Sequence, residues 1–261
     1  MTRRRTAPME TQPWPSAEVF DGWYAAMSGS PVRDEIQRRH LGLPPRLLST
    51  SLLGWAAIAE VAEALRLSPG DTMLGVACGR GAAAWRSPPA PGPSWCGWTS
   101  RPRRCGGPAS THGSWAAPRG FRLGNLAATG LGDGSVDAVL CGDAIQFSQQ
   151  PDAACCELPR VLGPGGRGVL TCWEPLGRGD ERLPGRLRRV DLAARLTAVG
   201  FTSMEVRGRL GWRACERAIW QEPATLDPPT TLRWSHSTTE GMRSLEILDL
   251  TGGSSSPPPR R

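Results

Sequence analysis

Val76-Ala77-Cys78-Gly79-Arg80-Gly81 decides how this chain is read. It closes the apolar run Thr72 to Ala77. A short apolar run that ends at a glycine loop reads as a strand buried on both faces of a parallel sheet. Two more such runs follow, Ser135 to Cys141 and Gly168 to Trp173. Between them Pro151 to Leu162 has helical character and is closed by Gly163-Pro164-Gly165-Gly166. Strand, helix and strand in this order imply a right-handed crossover, and hence an α/β fold with a doubly wound, mostly parallel sheet and helices on both faces.

The flanks add helices. Ser16 is an N-cap for Ala17 to Met27, where Val19, Phe20, Trp23 and Met27 share a face. Val32 to His40 is a second amphipathic piece, and Thr50 caps a third, Leu52 to Leu67. Beyond the third strand, Val190 to Val199 reads as a helix with Gly200 at its C-cap position. Phe201 to Arg207 then reads as a strand and Trp212 to Gln221 as a helix. The expected organisation is a disordered arm at 1–15, an N-terminal helical lid at 16–68, a core at 69–211, a C-terminal helical cap at 212–250 and a disordered tail of Gly, Ser, Pro and Arg at 251–261.

Composition narrows the function classes. A chain of 261 residues buries one good core with a small cap beside it. No apolar run approaches the ~20 residues of a membrane span. Arg3, Arg4 and Arg5 are followed by no apolar segment, so the N-terminus does not read as a secretory signal. The net charge is +7, yet the chain has no lysine and its arginines are spread along its length, which argues against a nucleic-acid partner. Its eight cysteines include no C-x-x-C pair and histidine is scarce, so neither a zinc site nor a disulfide framework is expected. Cys141 and Cys172 lie in apolar runs as small hydrophobes, which suits a reducing, cytoplasmic setting.

In an open α/β sheet a ligand sits beyond the carboxyl ends of the strands. Ala77-Cys78-Gly79-Arg80-Gly81 can bring backbone N–H groups close to such a ligand. Alone this loop is ambiguous. A plain turn reads the same way, and with Ala84 at the third position so does a dinucleotide site for a nicotinamide oxidoreductase.

The downstream segment decides between these readings. Phe121 to Leu126 reads as a strand ending in a polar residue. Leu131-Gly132-Asp133-Gly134-Ser135-Val136-Asp137 then leads into Ala138-Val139-Leu140-Cys141-Gly142-Asp143-Ala144-Ile145, and Arg160-Val161-Leu162-Gly163-Pro164-Gly165-Gly166 follows. This order resembles the class I S-adenosylmethionine-dependent methyltransferase family, of the small-molecule type, over roughly Ala17 to Glu222. The resemblance implies a Rossmann-like core, S-adenosyl-L-methionine as cofactor, a small-molecule substrate and no membrane. By position, Ala77, Cys78, Gly79 and Gly81 would line the methionine end of the cofactor. Asn125 and Leu126 would lie against adenine, Asp143, Ala144 and Ile145 would border the sulfonium, and Tyr24 would close from the lid. Asp143 reads equally as a helix-capping aspartate. His40, Asp143 and His236 are the candidate bases, and none has a visible partner, so no catalytic residue is assigned. A catalytically silent binding protein with this fold is the alternative.

Two departures favour that alternative. Gly75 and Asn125 stand where the family commonly has aspartate. The segment 82–120 contains no acidic residue, although the family has there a second strand ending in a ribose-binding acid; it is rich in Trp, Pro, Cys and Arg, and prolines such as Pro88 and Pro89 would break both a helix and a central strand. The genetic code explains this. Tryptophan is TGG and threonine ACN, so the last base of Trp98 joined to the first two of Thr99 gives GAC, aspartate. In the same shifted frame Trp95 into Cys96 gives valine, and the next two codons give Arg or Trp and then Val, Leu or Met. That is a second strand with its terminal acid. We read 82–120 as translated in a shifted frame between two compensating frame changes, against a genuine Pro-rich insertion. Resequencing the gene is expected to show the two compensating changes, near 81–84 and near 120; raw nucleotides that contain no insertion or deletion there would remove the idea.

Overall fold

The computed structural model describes residues 31–45, 51–78, 94–99, 120–177, 179–222 and 244–255. Two helices come first, α1 (Pro31–His40) and α2 (Trp55–Leu65). The sheet is entered at β1 (Thr72–Val76) and continues through β2 (Ser94–Thr99), β3 (Gly120–Leu123) and β4 (Val136–Gly142). A 3-10 turn (Ile145–Phe147), α3 (Pro151–Val161) and β5 (Leu162–Pro175) follow. The rest is α4 (Gly185–Arg188), α5 (Leu192–Ala198), β6 (Arg207–Gly208), α6 (Leu210–Gln221), a helical turn at 244–248 and β7 (Thr251–Ser255).

The seven strands lie in the order β3-β2-β1-β4-β5-β7-β6. β1 to β5 are parallel neighbours, and β7 runs antiparallel to both β5 and β6. The doubly wound α/β expectation therefore holds. Chain order reverses between β1 and β4, which creates a crevice beyond their carboxyl ends.

Both faces of the sheet are buried. Leu74, Val76, Val139, Cys141, Leu170 and Cys172 pack with Ala154, Cys155, Leu158 and Val161 of α3 and Leu192 and Leu196 of α5. Met73, Ala138, Leu140 and Val169 pack on the other face with Val61 and Leu65 of α2. The alternation along β1 and β4 is the period of two that a pleated strand imposes. Cys141 and Cys172 are free and buried, and burial pushes the Cys141 thiol up to about 12, so it stays protonated.

Several expectations are corrected. The tail after 250 is not wholly irregular, because Thr251–Ser255 fills the gap between β5 and β6 through backbone pairing that needs no apolar side chains. The strand expected at Phe201 to Arg207 shrinks to Arg207–Gly208. The helix expected from Leu52 starts at Trp55 behind Gly54, with Thr50 outside the described residues. Gly163-Pro164-Gly165-Gly166 is an excursion inside β5. Val136 pairs with Leu162 and Ala138 with Arg167, so the intervening residues bulge out of register. A Cβ on Gly166 would sit 2.8 Å from the Gly163 carbonyl oxygen and 3.1 Å from that of Asp137, so only glycine fits.

Residues 94–99, inside the stretch 82–120 whose prolines argue against a central strand, form β2 in the second-strand position. Val76 pairs with Trp98, and Thr99 pairs with Leu123 at the carboxyl end. The shifted frame places its aspartate at that same strand end. The helix expected at Ala17 to Met27 lies outside the described residues.

Below the sheet, Glu157 of α3 ties three segments together. It accepts from the Thr129 hydroxyl at 2.6 Å and from the Thr129 N–H at 2.7 Å. Arg160 donates to it at 2.6 Å and reaches Asp133 at 2.6 Å. The guanidinium, then these hydrogen bonds, hold the Glu157 carboxyl down at about 2 against burial. Because the folded-state value is depressed from 4.5, this contribution is complete above about pH 5 and is lost as pH falls towards 2. Glu157→Gln is expected to lower stability by roughly 2–3 kcal/mol at pH 7. Urea midpoints should converge with those of the unsubstituted chain below about pH 3, and an unchanged gap across that range would contradict the assignment.

Candidate functional site

The carboxyl ends of β1 and β4 both end in a sharp reversal. Ala77 (φ 51°) and Asp143 (φ 53°) are non-glycine residues in the left-handed region. This conformation turns the chain away at the strand ends and leaves the crevice open.

Asp143 keeps that conformation because every polar part of it is engaged. Its N–H donates to the Thr171 carbonyl at 3.0 Å and to the Thr171 hydroxyl oxygen at 3.0 Å. The Thr171 hydroxyl donates to Asp143 Oδ1 at 2.6 Å, and the Ser51 hydroxyl donates to Oδ2 at 2.6 Å. The Leu53 N–H in turn donates to Ser51 Oγ at 3.0 Å. The Asp143 carbonyl accepts from Gln146 Nε2 at 3.1 Å. One half-buried carboxylate thus joins β4, β5 and the segment leading into α2. Burial pushes its carboxyl above 3.8, although the Ser51, Thr171 and Leu52 donors pull the other way.

Glu216 of α6 is a second buried carboxyl. It accepts from Trp173 Nε1 on β5 at 2.8 Å and from Trp220 Nε1 at 3.3 Å. Burial raises its pKa first; the indole donors oppose this and the charge of Asp143 adds to it. The two carboxyls therefore feel one another across the ends of β4 and β5.

Around them the flanking helices share an apolar cluster. Leu41, Leu43, Leu53, Ala57 and Ile58 of the N-terminal part pack with Ile219 and Trp220 of α6. Charge contacts border it. Glu222 accepts from His40 Nε2 at 2.6 Å and pairs with Arg39, and Arg209 pairs with Glu60 at 2.7 Å. Leu53 Cδ1 lies 3.5 Å from where a Cβ of Gly142 would be, so this apolar body rests on the end of β4.

The sequence-derived site residues fare differently. Ala77 and Cys78 stand at the end of β1, and Asp143, Ala144 and Ile145 at the end of β4. Asn125 forms a short bridge with Ala128, and its Oδ1 accepts from the Ala127 N–H at 3.0 Å. Leu126 and Ala144 pack against the main core. Gly79, Gly81, Tyr24 and His236 lie outside the described residues. His40 has a carboxylate partner, Glu222, on the side of the cap. Sequence reasoning missed Ser51, Thr171, Trp173 and Glu216. Their signal was present: Thr171 is a lone hydroxyl in an apolar strand, and Glu216 interrupts the apolar face of Trp212, Ile219 and Trp220.

A doubly wound sheet of this order, open at the β1–β4 switch point, is the fold of nucleotide-cofactor enzymes. The methyltransferase domain family matches residues 109–170. No curated protein matches the sequence. Among solved structures, the [4+2]-cyclase SpnF superposes with a TM-score of 0.71 at 19% identity, covering 95% of this chain and 99% of its own. A putative sarcosine dimethylglycine methyltransferase from Galdieria sulphuraria gives 0.61 at 14% identity, covering 86% and 96%. Phosphoethanolamine N-methyltransferase 2 from Haemonchus contortus, solved with S-adenosyl-L-methionine, gives 0.68 at 13% identity; 94% of this chain spans 58% of that one. A methyltransferase domain signature thus covers residues 109–170, and these solved structures share the fold of the chain. Among the described residues no helix is long and apolar enough to cross a membrane, and no cluster of His, Cys, Asp or Glu is arranged to hold a metal ion.

The carboxylate junction makes a pH prediction. Asp143 is held above 3.8 in the folded chain, so folding takes up a proton. Its contribution is complete below that value and is lost as pH rises through the raised folded value. Asp143→Asn should remove this slope on the acid side, whereas Ser51→Ala should cost about 1–3 kcal/mol at pH 7. Denaturation midpoints measured against pH test both; parallel curves for the Asn variant and the unsubstituted chain would refute the first.

Proposed function

We propose that this methyltransferase acts on a small-molecule acceptor in cytoplasmic metabolism. The observation that carries the reading is the apolar body shared by the turn after α1, by α2 and by α6, fastened over the ends of β4 and β5 by Ser51–Asp143 and Trp173–Glu216. A roof fixed at two points suits an enclosed pocket of metabolite size better than a macromolecular groove.

The cofactor supplies a methyl group already activated on a sulfonium. The chain's part is to hold and orient. Ala77, Cys78, Gly79 and Gly81 would hold the methionine end through backbone N–H groups, and Asn125 and Leu126 would lie against adenine. Asn125 Oδ1 is committed to its own turn, so the backbone there and the side-chain amide nitrogen remain for recognition. Asp143, Ala144 and Ile145 would border the reactive end, with Tyr24 closing from the lid. Asp143 is a positioning residue in this scheme, since Ser51, Thr171 and Leu52 occupy its carboxylate. The roof would exclude water and align the acceptor.

A second reading, a binding protein that transfers no methyl group, is favoured by Gly75 in β1 and by a β2 that ends in Thr99 without a carboxylate. Likeness to a cyclase shows that a neighbour of this fold carries other chemistry in its name. Calorimetric titration of the purified chain with S-adenosylhomocysteine separates the two. Heat and a thermal shift are expected; neither appearing at millimolar ligand would overturn the methyltransferase reading.

A further inference from the structure

Two kinds of carboxylate fasten the roof. At its rim Glu60 pairs with Arg209, Glu222 with Arg39 and His40, and Asp249 with Arg217. Asp143 and Glu216, which tie the roof to the sheet, form no ion pair among the described residues; their partners are hydroxyls and indoles. We infer that the roof is a pH-operated lid: Asp143 and Glu216 hold it down while they share protons between neutral donors, and their ionisation as a pair lets the 51–58 segment and α6 lift from the ends of β4 and β5. Its role as the gate of the cofactor crevice rests on the methyltransferase reading.

The geometry places both joints where the roof meets the sheet. Ser51, ahead of α2, donates to Asp143 Oδ2 at 2.6 Å, and Thr171 of β5 donates to Oδ1 at 2.6 Å. Trp173 of β5 donates to Glu216 Oε2 on α6 at 2.8 Å, and Trp220 donates to Oε1 at 3.3 Å. The apolar cluster that these joints anchor is separate from the two cores of the sheet. The roof can therefore move without uncovering either core, at the loss of its own edge contacts.

The surrounding charges decide the direction. Towards Glu216, Arg213 of α6 is the opposing cation, and it is itself engaged with the Leu248 carbonyl and lies 3.6 Å from Asp249. Arg217 faces Asp249 as well, Arg39 and His40 of α1 face Glu222, and Arg209 faces Glu60. Asp143 is the like charge. Burial raises the carboxyl of Asp143 above 3.8, and burial with the Asp143 charge raises that of Glu216 above 4.5, against the pull of the hydroxyl and indole donors. Opening returns both groups to water and releases the protons they hold. The lid is thus fully held below about pH 3.8 and loosens as pH rises through the raised closed-state values.

Hydrogen–deuterium exchange of the full chain, corrected for the intrinsic pH dependence of exchange, reads this opening. Between about pH 5 and pH 9, protection of α6 and of residues 52–58 is expected to fall about tenfold per pH unit for each proton released, over the interval in which each carboxyl titrates, while β1 and β4 keep theirs. Glu216→Gln removes one proton from the linkage and should flatten the slope by about one. Trp173→Phe keeps a ring but removes the N–H that favours the ionised carboxyl, so the fall should extend to higher pH, a shift that a purely packing role would not produce. If Glu216→Gln fails to fold, Trp173→Phe still decides. S-adenosylhomocysteine, mixed with the chain at each pH, is expected to bind and leave faster where the roof is open. An unchanged slope in Glu216→Gln, no movement in Trp173→Phe, or loss of protection in β1 and β4 in step with α6 overturns the lid and leaves the methyltransferase reading intact. Opening as expected without any S-adenosylhomocysteine response leaves the lid standing and overturns its role as a gate together with the methyltransferase reading.

Discussion

The Asp143 carboxylate accepts one hydroxyl from the sheet and one from the segment that opens α2, and the arrangement of the whole site depends on that double use. An aspartate in the left-handed region costs of order 1 kcal/mol or more. Thr171 meets that cost from both sides, taking the backbone N–H and giving its own hydroxyl hydrogen. Without it the turn after β4 has no reason to stay sharp, and the Gln146 amide loses the carbonyl on which it is set.

Packing explains why the carboxylate holds a roof and not merely a turn. The sheet already has a complete core on each face, made by α3 and α5 on one side and α2 on the other. Apolar residues of the turn after α1, of the start of α2 and of α6 lie in neither of these cores, and they bury their side chains against one another. Such a cluster is held to the sheet mainly by polar contacts at its edges, and these are the bonds to Asp143 and Glu216. Both carboxyls sit where burial favours their neutral forms, against the pull of the hydroxyl and indole donors that hold them.

Strands β1 and β4 were legible from their residues alone, because a run buried on both faces needs apolar side chains at every position and shows as one. The helix α3 was legible from its helical character and its glycine-rich exit. β7 was not, since Thr251–Ser255 is mostly small and polar and joins the sheet by main-chain pairing between two strands. β2 was hidden differently: Ser94–Thr99 carries one glycine and two tryptophans within a proline-rich stretch, and only its position between β1 and β3 defines it. Among site residues, Asp143 announced itself as a polar residue at the end of an apolar strand, but its work for the roof depends on Ser51, far away in sequence, and no local pattern links the two.

The place of β7 has a consequence for how the molecule comes together. β5 pairs with β4 at Leu162 and from Arg167 to Thr171, residues close to it in the chain, whereas Thr171 to Pro175 on its other side wait for Thr251–Ser255, the last of the described strands in chain order. Until those residues arrive, β5 presents a bare row of N–H and C=O groups, the template on which chains aggregate edge to edge. A chain cut short before Thr251 would leave that edge of β5 bare and prone to sticking to its own copies, so five residues near the end of the chain guard the sheet against edge-to-edge pairing.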